Sequence, residues 1–199
     1  MDYTTLTIVK TVLNNTTETT DDTLLARLIT AVSRSIDRYV TGVNSGSDNY
    51  FLSEAVAGEV IRGQVDAQGR VVCYPHKSQI NSIASLQYRR SPADTWTAAA
   101  LSRIEIDGPT VRAWEYAGAY RGALSVAVSY NGGHATATAG LPADLVESAT
   151  ALAVRYYNED RAGLADIIGV DQSGTLMYSK AWPLRVKEAL NSYRRVIAW

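Results

Sequence analysis

Apolar side chains in TTLTIVKTVLNN recur at spacings of three and four, so Leu6, Val9, Val12 and Leu13 share one face of a short helix that Thr4 or Thr5 can cap. After the polar link NNTTET, the segment DDTLLARLITAVSRSIDRYV sets Leu24, Leu25, Leu28, Ile29, Val32, Ile36 and Tyr39 along one stripe. Arg27, Arg34, Asp37 and Arg38 fall mostly elsewhere. Asp21 and Asp22 lie at the first turn, where carboxylates offset the helix dipole and satisfy free amides, so they read as structural. Beyond VNSGSDN the period shortens. EVIRGQV and RVVCYP, joined by DAQG, predict a hairpin; SIASLQYRR continues in the same style, and IEI and TVRAW flank a turn at Asp107-Gly108-Pro109. LSVAVSY alternates, with Leu124, Val126, Val128 and Tyr130 on the side to be buried. About six short strands in residues 50–130 predict a small antiparallel sheet or sandwich.

Helical spacing then returns in GLPADLVESATALAVRYYNEDRAG. Leu145, Val146, Ala149, Leu152, Ala153, Tyr156 and Tyr157 share a face, Pro142 and Asp144 suit the first turn, and Gly163 suits the end. In PLRVKEALNSYRRVIAW, Val186, Ala189, Leu190, Tyr193, Val196 and Ile197 align, while GVDQSGTLMYS between the two reads as a Gly-rich exposed loop. Each amphipathic helix needs a helical partner. The expected fold is therefore α+β: a bundle of about four helices interrupted by an inserted antiparallel β-sheet or sandwich module. The expected boundaries are residues 1–45 for the first helices, 46–135 for the β module and 136–199 for the helices that complete the bundle.

Composition narrows the function classes. Of 199 residues, 46% are hydrophobic and 20% charged, and 19 basic against 20 acidic side chains leave a net charge of -1, so no basic excess advertises nucleic-acid binding. The start MDYTTLTIVK has no signal-peptide pattern and no apolar run approaches a membrane span, which gives the expectation of an intracellular start without membrane partners. A single cysteine, Cys73, fits assembly in a reducing compartment. Twelve Tyr and four Trp against one Phe suit half-buried positions and interfaces.

Catalytic chemistry finds little footing. His76 and His134 stand in different turn regions, so neither a two-His helix motif nor a Cys/His zinc spacing exists, and no metal or cofactor is expected. Asn131-Gly132-Gly133 before His134 lacks any phosphate-loop context. Cys73 sits in an apolar strand pattern; as a nucleophile with His76 three residues on, it would want a third, orienting group. The charged feature above background is the end of the sequence, where Lys180, Arg185, Lys187, Arg194 and Arg195 stand against Glu188, with Trp182 and Trp199 as large rings to either side. This is either the solvated face of a helix or a contact for an acidic partner.

Taken in order, TLTIVKTVL, a Thr-rich link, DDTLLARLITAVSRSIDRYV, a β insertion ending in VAVSYNGG, and LPADLVESATALAVRYYNEDR closely resemble the head-tail connector proteins of tailed bacteriophages, also called adaptor or head-completion proteins. The resemblance covers essentially the whole chain. Its most specific pieces are Asp21-Asp22 before Leu24, Leu25, Leu28 and Ile29, and Leu141-Pro142 with Asp144, Tyr156, Tyr157 and Arg161. It implies a non-enzymatic virion protein of the neck, assembled in the host cytoplasm as a twelve-fold ring beneath the portal. The ring would prolong the channel through which genomic double-stranded DNA passes without sequence-specific binding, and would offer a platform to a stopper or tail-completion protein. It further implies portal contact through the last segment, which names Lys180, Trp182, Arg185, Lys187, Arg194, Arg195 and Trp199; here the sequence has no long polar extension after its last predicted helix. The β insertion is large for the simplest members. Residues 44–49, 168–179 and the last few residues are expected to order on binding. Two other readings stand beside this one: a β module that binds carbohydrate or protein on a helical scaffold, and another neck protein such as a stopper or tail-completion protein.

Overall fold

The computed structural model describes residues 2–42, 49–77, 79–114, 122–162, 167–170, 176–178 and 181–194. The chain is an α+β protein that divides into two compact units, Met1–Asn49 with Ala137–Trp199, and Tyr50–Thr136.

The first unit holds four helices among its described residues: α1 (Leu6–Val12), α2 (Asp22–Thr41), α3 (Ala143–Ala162) and α4 (Leu184–Asn191). Long α2 and α3 pack on each other, and α1 and α4 each touch both. Leu25, Ile29, Val32, Ile36 and Val40 from α2 meet Leu145, Ala149, Leu152, Ala153 and Tyr157 from α3, with Val186 and Leu190 closing the α4 side. Thr5 caps α1, its Oγ1 accepting from the Ile8 amide at 3.3 Å. Gly42, at φ +67°, ends α2 in the left-handed conformation.

Three details differ from the sequence reading. Tyr3 is fully buried; its amide donates to Ser33 Oγ at 2.9 Å and its hydroxyl to Asp37. Asp37 therefore belongs to the inside of α2, where it also accepts from the Asn49 amide at 3.0 Å and Arg34 at 3.3 Å, because a buried carboxylate is tolerated once donors surround it. Asp21 makes no side-chain cap; Tyr157 donates to it at 2.5 Å and Arg161 lies 3.2 Å away, so it links the start of α2 to the last turns of α3. Asp22 pairs instead with Lys10 of α1 at 2.8 Å. On α1 itself Val9 and Lys10 are buried, while Ile8 and Val12 are exposed.

The second unit is a single antiparallel sheet rather than a sandwich. Its strands are β1 (Glu54–Val65), β2 (Val71–Cys73), β3 (Ile80–Arg89), β4 (Thr97–Ala98), β5 (Ile104–Asp107), β6 (Thr110–Ala113) and β7 (Ala123–Gly132), in the order β4-β3-β7-β1-β2-β6-β5. The β1-β2 hairpin closes where DAQG predicts it, with Val65 opposite Val71 and Asp66 accepting from the Gln68 and Arg70 amides at 2.9 Å. Strand β3, second in the order, also contacts β5 at the far end, so the sheet curls and brings one face round upon itself. That face is the core: Val71, Cys73, Leu86, Tyr88, Val111, Leu124, Val126, Val128 and Tyr130 are buried there. The alternation read in LSVAVSY holds residue by residue. Two-residue β4 went unread, being too short for a period.

Where GVDQSGTLMYS predicts an exposed loop, the described residues include two paired strands, β8 (Ile167–Val170) and β9 (Leu176–Tyr178), with Val170 opposite Leu176. The glycines that suggested a loop interrupt apolar runs too short to register as strands.

Candidate interface on the helical unit

Of the residues named for partner contact, the structure describes Trp182, Arg185, Lys187 and Arg194; Lys180, Arg195 and Trp199 lie outside the described residues. Pro183 precedes α4 and fixes a sharp entry, after which Val186 and Leu190, four apart, anchor the helix in the core. The opposite face is open, with Leu184 at 71% exposure.

Trp182 is held on both sides. Its indole N–H donates to Tyr156 Oη at 3.0 Å on α3, and its ring lies 5.1 Å from that of Tyr39 on α2. Tyr39 in turn donates to Asn191 Oδ1 at 2.9 Å and carries the Arg194 guanidinium 5.9 Å above its ring. One aromatic seam thus receives both ends of α4. Arg155 reinforces the entry, donating to the Ala181 carbonyl at 2.8 Å. Arg185 reaches Glu147 of α3 at 2.5 Å, an exposed pair worth little to stability. Past α4, the Tyr193 hydroxyl donates to Asp144 Oδ1 at 2.8 Å; burial, and then this bond, push it up to about 12.

Elsewhere on the helical unit, on a different face of α3, lies a groove of about 860 Å³ that the sequence periodicity does not announce. Its walls are α1, the turn Thr138–Gly140 and one face of α3, with Ile8, Val12, Leu141, Val146, Ala151 and Val154 supplying apolar surface and Glu147 a charge at the rim. The available signal was the second apolar face of α1. Ile8 and Val12 flank the buried positions, and single-face reading assigned Val12 to the core.

The chemistry candidates are dispersed. Cys73 is buried in the sheet core, where desolvation pushes its thiol up to about 12, the opposite of an activated nucleophile. His76 faces Glu59, which also accepts from Tyr130 Oη at 2.6 Å, a cross-strand lock next to the β1 bulge. Lys77, also buried, reaches Glu54 at 2.5 Å. His134 donates its amide to the Phe51 carbonyl at 2.8 Å and sets its ring 5.6 Å from that of Phe51. Among the described residues no three His, Cys, Asp or Glu gather as a metal site, and no helix is long and apolar enough to cross a membrane.

No protein-family model and no curated protein sequence matches the chain. Solved structures do resemble it. A chain from the neck of an empty gene transfer agent (GTA) particle, computed with C6 symmetry, is 16% identical, with a TM-score of 0.52 over 98% of this chain and 90% of that one. A chain of the virion of a native GTA particle is 16% identical, covering 92% of this chain and 82% of that one at a TM-score of 0.49. A third, from the neck of a native GTA particle computed with C12 symmetry, is 14% identical, covering 100% and 96% at 0.44. At such identities only a fold is shared, and the argument rests on the first. From end to end, this chain shares its fold with a chain found in the neck of a GTA particle.

Proposed function

We propose that this chain is a structural protein of the neck of a phage-like particle, a head-tail connector of the adaptor kind that assembles as a ring beneath the portal. One observation carries the reading: the fold likeness to a chain from a GTA neck runs over 98% of this chain and 90% of that one, so it concerns the whole molecule rather than a common module. The connector-like order of motifs in the sequence supports it independently. The neighbouring neck was computed with six-fold symmetry, which a twelve-fold ring also obeys.

In this reading the partners are further copies of the chain, the portal above, a stopper or tail-completion protein below, and duplex DNA passing through the lumen. A net charge of -1 suits a lining that does not arrest phosphates. Arg185, Lys187 and Arg194, with Lys180, Arg195 and Trp199, offer cations and a ring to an acidic portal surface, and Trp182 holds α4 in position to present them. The role is non-enzymatic and located in the virion neck, after assembly in the host cytoplasm.

The test is the solution mass of the protein, alone and mixed with the portal ring of the same particle. Deleting everything from Lys180 is a poor control, because it strips Val186 and Leu190 from the core. Lys187→Glu with Arg194→Glu leaves the core intact. The expected outcome is a portal complex that the double variant weakens at least about ten-fold, the scale of one or two charge-pair losses. A monomer that ignores the portal in both forms contradicts the reading and favours a binding module served by the sheet.

A further inference from the structure

The outward side of the curled sheet carries two patches of different chemistry. Val126 and Val128 point into the core, so Ser125 and Ala127 face out, and the register sets Val60 beside Ala127 and both Arg62 and Arg89 beside Ser125. Val60 is 61% exposed on the middle strand of the seven, an apolar centre on a floor of small side chains with two cations alongside. Arg89 is fixed there, its guanidinium 4.3 Å from the centroid of the Trp96 ring and donating to the Pro92 carbonyl at 3.1 Å. Arg62 is exposed and joins no ion pair among the described residues.

The second patch lies on β5 and β6. Val111 and Ala113 are buried, so Arg112 and, across the register, Glu105 face out, with Asp107 on the same side. Arg112 donates to Asp107 at 2.7 Å, which leaves Glu105 exposed and outside any ion pair among the described residues. Trp114 follows at the end of β6, 52% exposed, with the Arg70 guanidinium 4.7 Å from its ring centroid. Because the sheet curls until β3 meets β5, the two patches look out from opposite walls of it.

Their chemistry is complementary. One offers an apolar centre and guanidiniums, the other an indole and carboxylates, the two halves of a protein interface with an aromatic anchor and charged pairs around it. Surfaces that match yet point apart cannot meet within one molecule; they join copies head to tail. We propose that the β unit of one copy docks on that of the next through these patches, Trp114 lying against Val60 and Ala127, and Glu105 pairing with Arg62. The occupant of each patch is a second copy of this chain. The inference deepens the ring reading, on which it relies only for the contact to close into a ring.

The test uses the full chain as Arg62→Glu, Glu105→Arg and the double variant, with sedimentation equilibrium reading the dissociation constant for self-association. Both positions are exposed, and circular dichroism with a urea midpoint checks that each variant folds. Each single change sets like charges opposite each other and is expected to weaken self-association at least about ten-fold, whereas the double variant, with the pair exchanged, returns to within about three-fold of the wild type. An equimolar mixture of the two single variants associates as well, because each supplies the patch that the other lacks. Single variants that associate like the wild type, a double variant as weak as the singles, or a wild type that stays monomeric at about 100 µM overturns the proposal. The portal mixture tests the neck reading separately: a chain that binds the portal while its single variants self-associate normally loses this contact and keeps that role.

Discussion

Gly133 stands at φ +111°, and a Cβ there would lie 2.1 Å from the Leu52 carbonyl oxygen, so both backbone conformation and space demand glycine where the chain leaves β7. Gly133→Ala is expected to lower the free energy of unfolding by more than about 2 kcal/mol in urea titrations, through combined strain and overlap. A change within about 0.5 kcal/mol would mean that the close approach is not real. Cys73 makes a second residue-scale case. Its thiol is raised from an ordinary value near 9 to about 12 by burial, so between those values the unfolded chain releases a proton that the folded one keeps. Its contribution is whole below about pH 9 and lost as pH rises toward 12. Native protein at pH 8 should resist a thiol reagent that labels the urea-unfolded chain at once; equal rates would place Cys73 at the surface. The Tyr193 phenol, also raised to about 12, adds a loss of the same sign above its ordinary value near 10.

Among elements, the join between α2 and α3 rests on more than apolar stripes. Tyr157 donates to Asp21 at 2.5 Å and accepts from Arg161 at 3.1 Å, and the bond to Asp21 is the first cause of the raised phenol. Tyr157→Phe keeps the ring and deletes the bond, with an expected loss of about 1.5 to 3 kcal/mol for a hydrogen bond to a charged acceptor. An unchanged urea midpoint would reduce Asp21 to a first-turn carboxylate, as the sequence alone suggests. That contrast shows what was legible. Helical stripes in α2 and α3 and the alternation in β7 announce themselves, because one buried face imposes a period on neighbouring positions. The β1-β2 hairpin was equally plain from DAQG. Tethers such as Asp21 to Tyr157 or Tyr3 to Asp37 join residues 136 and 34 apart in sequence, and no local period encodes them. The paired β8 and β9, each shorter than a readable alternation, were hidden for a related reason. At the interface, Trp182 was visible as a large ring, but that its N–H is taken by Tyr156 and its face by Tyr39 depends on three separate segments. The groove escaped because α1 serves two surfaces, which single-face reading merges into one.

For the whole molecule, the proposed ring requires that each copy present two different surfaces to its neighbours, and the helical unit carries an exposed face on α4 and, separately, an apolar groove between α1 and α3. The near-neutral charge also gives a prediction at this scale: if the chain forms the proposed neck ring, that ring should bind duplex DNA only weakly at physiological salt, with a shallow dependence on salt concentration, and tight, steeply salt-dependent binding would contradict the proposal. Electron cryomicroscopy of phage-like particles released by cells that carry this chain tests the neck proposal at this scale. Under that proposal, density for a closed ring of this fold is expected between portal and tail, with the proposed α4 contact toward the portal. Finding the chain absent from the neck, or present as isolated copies elsewhere on the particle, would contradict it.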